Sequence, residues 1–176
     1  YSPLPGLVMS TRCGDLDPSI PIRLAQEDGM TPAQLNALLN KKSGLLGISG
    51  FSSDLRDLIA AMDQGASPTA RLAFEQYVHR LARYIGGYAV ALQGLDVLLF
   101  TDDIGLTNWR VREAVCRRLA WCGVRLDEEK NRQARTDGIS EIGEPGCVRV
   151  LVVPTDEELV IGREGVRLIE VTHVAH

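Results

Sequence analysis

Residues 95–105, LDVLLFTDDIG, constrain the fold more than any other stretch of the chain. A short apolar run, read as a buried strand, passes into a small acidic loop with a glycine and then straight into helical sequence. Such strand-to-helix joins build open α/β sheets. Ligands in those sheets collect at the carboxyl ends of strands, where helix N-termini present unpaired N–H groups. The theme recurs at residues 147–158, where CVRVLVV runs into PTDEE. Two strands cannot make a stable sheet alone. Further strands are therefore expected, either among the first eighteen residues or in a larger fold.

At 176 residues the chain is long enough to enclose a core, and 45% apolar against 24% charged residues is ordinary for a globular protein. A net charge of −4 offers no broad basic surface, which argues against a nucleic-acid partner. No apolar run has the length to cross a bilayer, and Tyr1 does not open a signal peptide. Cys13, Cys116, Cys122 and Cys147 form no CxxC pair and have no histidine at metal spacing. They read as structural thiols of a cytoplasmic protein.

Pro3, Pro5, Gly6, Gly14 and Pro18 make the first eighteen residues looped or extended. Residues 19–28 read as a short helix ended by Gly29. Thr31, Pro32 and Gln34 open a second with a capping box, and Leu35, Leu38 and Leu39 form its apolar stripe. Residues 41–51, KKSGLLGISGF, read as a tight buried loop. Ser52 or Ser53 is expected to cap a helix reaching Gln64. Ser67 and Pro68 open the longest helix, to about Gln93, with a stripe of Ala70, Phe74, Tyr77, Val78, Leu81, Ile85, Tyr88, Ala89 and Leu92. Gly86 and Gly87 interrupt it and leave room for another backbone. After the strand at 95–100, a helix over about 107–122, a short strand at 124–126, a polar connection over 127–137 and the strand at 147–153 lead to a last helix. His173 and His176 fall in a tail expected to fray.

Four clusters carry the chemistry. In Ser10–Pro18, STRCGDLDP, Arg12 either holds an oxyanion and stabilises charge in phosphoryl transfer, or pairs locally with Asp15. In residues 52–57, SSDLRD, Asp54 either caps its helix or joins Arg56 in gripping a ribose or base. In the 101–105 loop, Ile104 and Gly105 suit close approach by a phosphate, whereas Asp102 and Asp103 repel one unless a divalent cation intervenes. After the second strand, Asp156, Glu157 and Glu158 are either helix-start acids or organisers of Mg²⁺. No GxxxxGK[ST] loop is present, which excludes an ATPase of that type.

Taken in order, these pieces resemble the C-terminal part of the acetate kinase family, within the acetate and sugar kinase, Hsp70 and actin superfamily. The matching segments are GLVMSTRCGDLDP (6–18), NKKSGLLGISGFSSDLRD (40–57), VLLFTDDIG (97–105), VRE (111–113), LDEEKN (126–131) and VLVVPTDEELVIGRE (150–164). The resemblance implies an α/β fold, helix-rich with a small mixed sheet, forming part of a ribonuclease-H-like (actin-like ATPase) domain. It treats residues 1–176 as a single nucleotide-side domain, with an N-terminal domain and early strands lying outside it. It further implies Mg²⁺-dependent phosphoryl transfer between ATP and acetate, or a related short carboxylate such as propionate, giving ADP and acyl phosphate, in a homodimer.

By the same resemblance Arg12 is the catalytic arginine. Asp54, Leu55 and Arg56 line the adenosine pocket, Asp103, Ile104 and Gly105 belong to the nucleotide loop, and Glu157 serves the metal. The family pattern at the loop reads TGGIGENS or TAGIGENS, and this chain reads TDDIGLTN. Two carboxylates in a partly desolvated phosphate seat oppose the ligand by several kcal/mol, or about a thousandfold in affinity. Two readings follow: a nucleotide-side part inactive without its facing half, and a catalytically dead module for dimerisation or regulation.

Overall fold

The computed structural model describes the backbone of residues 2–65 and 67–174, and the side chains of these as far as Ile169. The chain folds as two compact units, residues 1–93 and 94–176.

In the first unit the opening eighteen residues carry no regular element. α1 (Ser19–Glu27) packs against α2 (Pro32–Lys41), whose capping box forms as expected between Thr31 and Gln34. Residues 41–51 are not the irregular loop expected: they contain α3 (Gly44–Ser49). Local composition disfavours that helix, but its first turn docks on carbonyls from residues 9–11, a tertiary contact that propensity cannot report. α4 (Leu55–Asp63) starts one residue later than expected, because Asp54, not a serine, caps it by accepting from the Arg56 N–H at 2.8 Å. α5 (Pro68–Ala91) begins at the Ser67 cap, and α3 and α4 pack along it. Leu45, Leu55, Leu58, Ala70, Ala73, Phe74 and Val78 make the core here. The predicted stripe fails at Tyr88 and Leu92, which are exposed, whereas Ala70, Phe74, Val78 and Ala89 are buried. Among the described residues no backbone lies within 4 Å of where a Gly87 side chain would start.

In the second unit β1 (Val97–Phe100), β2 (Ser140–Glu141) and β3 (Arg149–Val152) form a mixed sheet in the order β1-β3-β2. β1 and β3 run parallel, with Phe100 opposite Val152, and β2 is antiparallel to β3. β1 is not wholly buried as expected. Leu98 and Phe100 face the core, whereas Val97 and Leu99 are exposed. The acidic loop expected at 101–105 is helical, forming α6 (Asp102–Thr107), and after a break the helix expected over 107–122 is α7 (Trp109–Arg118) followed by a 3₁₀ turn at Ala120–Cys122. The break falls at Asn108, whose side chain accepts from the Val111 N–H and restarts the helix. Val124 and Leu126 make isolated bridges rather than a strand. The polar connection contains α8 (Glu128–Arg132), capped by Asp127.

The last helix, α9 (Glu157–Val174), continues through His173, where fraying was expected; His176 lies outside the described residues. Cys116 is buried, and burial pushes its thiol up to about 12, so it stays protonated as core filler. Among the described residues no helix is long and apolar enough to cross a membrane.

Candidate functional site

Arg12 sits in a turn that its neighbours hold rigidly. The Met9 N–H donates to the Arg12 carbonyl at 3.2 Å, closing the turn. From α3, the Leu45 and Leu46 N–H groups donate to the Met9 and Ser10 carbonyls at 2.9 and 3.0 Å. Ser43 N–H donates to Thr11 at 3.0 Å, and the Thr11 hydroxyl donates to the Asn40 carbonyl at 2.9 Å. The approach is so close that only glycine fits at position 44. Its φ is +64°, and a Cβ there would run into the Met9 carbonyl oxygen.

The local Arg12–Asp15 pair allowed by spacing does not form. Asp15 accepts from the Gly6 N–H at 2.8 Å and the Tyr84 hydroxyl at 2.7 Å, and Arg80 stands 3.6 Å away. The Tyr84 hydrogen bond, with the Gly6 N–H and Arg80, holds the Asp15 carboxyl below the usual aspartate range. Among the described residues the half-buried Arg12 guanidinium has no hydrogen-bond or ion-pair partner. It lines a cavity of about 840 Å³ with Ser10, Thr11, Asn40 and Lys41, and no carboxylate is among the lining residues. In an acidic chain that arrangement selects an anion.

Asp54 and Arg56 take their bland role and a second one together. Besides capping α4, Asp54 accepts from Arg56 Nε at 3.0 Å and Nη2 at 2.6 Å, a fork that lowers its pKa. Both lie at the surface, and the cavity beside Arg12 is lined by neither. The Leu55 side chain is buried in the core.

In the second unit the third and fourth clusters come together. β1 and β3 end side by side, and the Val153 N–H donates to the Phe100 carbonyl at 2.8 Å. The first turn of α6, which carries the 101–105 cluster, and the residues before Glu157 therefore leave the same end of the sheet. Gly105 is buried against Phe100, where a Cβ would stand 3.2 Å from its carbonyl carbon. Asp102 adopts φ +61°, a left-handed backbone that side chains disfavour. Asp156, not Glu157, caps α9 by accepting from the Leu159 N–H at 2.8 Å. Among the described residues the carboxylates of Asp102, Asp103 and Glu157 have no hydrogen-bond or ion-pair partner. None of the described residues form a group of three or more His, Cys, Asp or Glu able to hold a metal ion unaided.

Three comparisons bear on this geometry. The model of the acetokinase family matches residues 1–163. The chain belongs to that family. The acetate kinase of Moorella thermoacetica is 46% identical over 171 residues, covering 97% of this chain and 42% of that enzyme. Crystal structures of acetate kinases from Entamoeba histolytica (45% identity, TM-score 0.87, 93% of this chain and 43% of that one) and Porphyromonas gingivalis (40%, 0.88, 96% and 42%) share the fold. A propionate kinase from Francisella tularensis matches at 36% identity and a TM-score of 0.83, over 90% of this chain and 40% of that one. The chain thus spans well under half the length of the relatives it matches. Its helix-rich α/β architecture with a small mixed sheet is part of the actin-like ATPase fold of the acetokinases.

Asp102 keeps a backbone conformation suited to glycine, one of the two residues that the resembled loop pattern (TGGIGENS or TAGIGENS) has at this position.

One residue of this unit was missed by sequence reasoning. Arg112 is 2% exposed and has no carboxylate partner among the described residues. Its Nη1 donates to the Gly105 and Leu106 carbonyls, both at 2.8 Å, and its Nε and Nη2 donate to the side chain and carbonyl of Asn131, both at 2.7 Å. The signal was present: an arginine set among Val111, Val115 and Cys116 on the buried side of α7.

Proposed function

We propose that these 176 residues supply the nucleotide-side domain of an acetate kinase, transferring phosphoryl between ATP and acetate or a close carboxylate to give ADP and acyl phosphate. The observation that carries this reading is Arg12: a guanidinium without a partner among the described residues, carried on a clamped backbone turn, in a cavity lined by no carboxylate. Such a group is preorganised to stabilise charge on a phosphoryl group in flight. Asp54 and Arg56 serve the adenosine, with Leu55 contributing through its backbone because its side chain is in the core, and Asp103, Ile104 and Gly105 approach the phosphates.

Mg²⁺ neutralises phosphate charge when bound. A lone unpartnered carboxylate such as Glu157 fits it, since Mg²⁺ takes one or two carboxylates and fills its shell with water and phosphate oxygens. The domain works in the cytoplasm, where four free thiols persist, and as a homodimer. Exposed Tyr88, Val90 and Leu92 at the end of α5 support that self-association.

In-line transfer requires both substrates held together, so the isolated chain is inactive. An acyl-hydroxamate assay for acetyl phosphate tests this, using the chain alone and mixed with the complementary half of a related acetate kinase. Activity is expected only in the mixture, and Arg12→Ala should abolish it. Turnover that survives R12A would refute the assigned role.

A second reading, a dimerisation or regulatory module without catalysis, is favoured by one observation: Asp102 and Asp103 place two unpartnered carboxylates at the phosphate loop. Failure of the mixture to turn over, with a dimer intact in sedimentation, would select it.

A further inference from the structure

We infer that Arg112 is the positioning residue of the nucleotide loop, locking the carbonyls of Gly105 and Leu106 in one geometry; its consequence for nucleotide affinity rests on the loop's role proposed above. Three observations converge on it. First, the guanidinium spends its hydrogen bonds on acceptors from two separate places, the end of the 101–106 segment and Asn131 in α8. A cation buried to 2% exposure without a carboxylate is costly unless each donor is matched, and the four short bonds supply that match.

Second, the acceptors are the carbonyls at which α6 ends. A six-residue helix has little cooperativity of its own, and its last carbonyls need partners from outside. The positive charge at that end complements the helix dipole. Third, the latch is braced. Asn131 is 1% exposed, accepts from Arg112 and donates from Nδ2 to the Trp109 carbonyl at 2.8 Å, just past the α6–α7 elbow. The loop is thereby tied to α7 and α8 rather than left to its own propensity. Lysine cannot replace the fork, because one ammonium cannot address acceptors spread over both segments.

The test measures amide hydrogen exchange of the chain and its R112K and N131A variants. The account expects residues 102–108 to exchange at least tenfold faster in R112K and by a smaller factor in N131A. β3 and α5 should be unchanged. N131A keeps the Asn131 carbonyl and serves if R112K does not fold. Unchanged loop exchange, or equal acceleration throughout residues 94–152, would overturn the inference, the latter marking Arg112 as a general strut.

Calorimetry with ATP–Mg²⁺ supplies the second readout. In the D102G/D103G chain, adding R112K should weaken binding at least tenfold; no weakening would also overturn the inference. If D102G/D103G itself gains no affinity for nucleotide, the reading of the loop falls, whereas the latch still stands or falls on the exchange pattern.

Discussion

Asp102 is, with Gln93, one of two non-glycine residues with a left-handed backbone among the described residues. Its backbone sits at φ +61°, where a Cβ costs about 1–2 kcal/mol. The D102G chain should therefore be more stable than D102A by about 1 kcal/mol in denaturant unfolding; equal midpoints would show that the position is not strained. Asp15 makes the complementary case. Its pKa is lowered chiefly by the Tyr84 hydroxyl, then by the Gly6 N–H and Arg80. A depressed folded-state pKa contributes stability that is present above the unfolded aspartate value of about 4 and lost as pH falls through the folded value. Asp15→Asn should thus lower the thermal midpoint at neutral pH, and the gap from the parent should close in acid. A gap independent of pH would contradict the charge assignment.

At the scale of elements, α3 shows what one glycine does. Gly44 combines a positive φ with direct contact on the Met9 and Arg12 backbone, so Gly44→Ala must push the two segments apart. We expect a loss of about 2–4 kcal/mol, comparable to Leu58→Ala in the fully buried core beneath α5. Only G44A should also disturb the Arg12 turn, visible as changed chemical shifts over residues 9–12.

This element also marks the limit of what the sequence shows. Thr31 with Gln34 and Ser67 with Pro68 announce their helices locally, and both caps form. α3 depends on carbonyls more than thirty residues away, and the α6–α7 break depends on Asn108, whose capping competes with an otherwise continuous helical pattern. β2, two residues long, has almost no local signal. The candidate site is legible in the same measure. Arg12 and the two strand-end loops stand out as charges among glycines and prolines, whereas Arg112 acts through burial, which no spacing reveals.

At the scale of the whole molecule, the two units carry different shares of one proposed task. The first presents Arg12 in a cavity lined by no carboxylate, and the second presents the start of α6 and Glu157 beyond the paired ends of β1 and β3. The chain matches about 42% of the length of its acetate kinase relatives, in keeping with a share of the machinery rather than all of it. The central claim is that the 101–105 loop is a nucleotide seat, weakened in this chain by its two aspartates. Calorimetric titration of ATP–Mg²⁺ into the parent and the D102G/D103G variant tests it most directly. The parent should bind weakly, and the variant should gain at least about tenfold, toward the thousandfold that full relief of repulsion allows. A micromolar dissociation constant for the parent, or no gain in the variant, would contradict it.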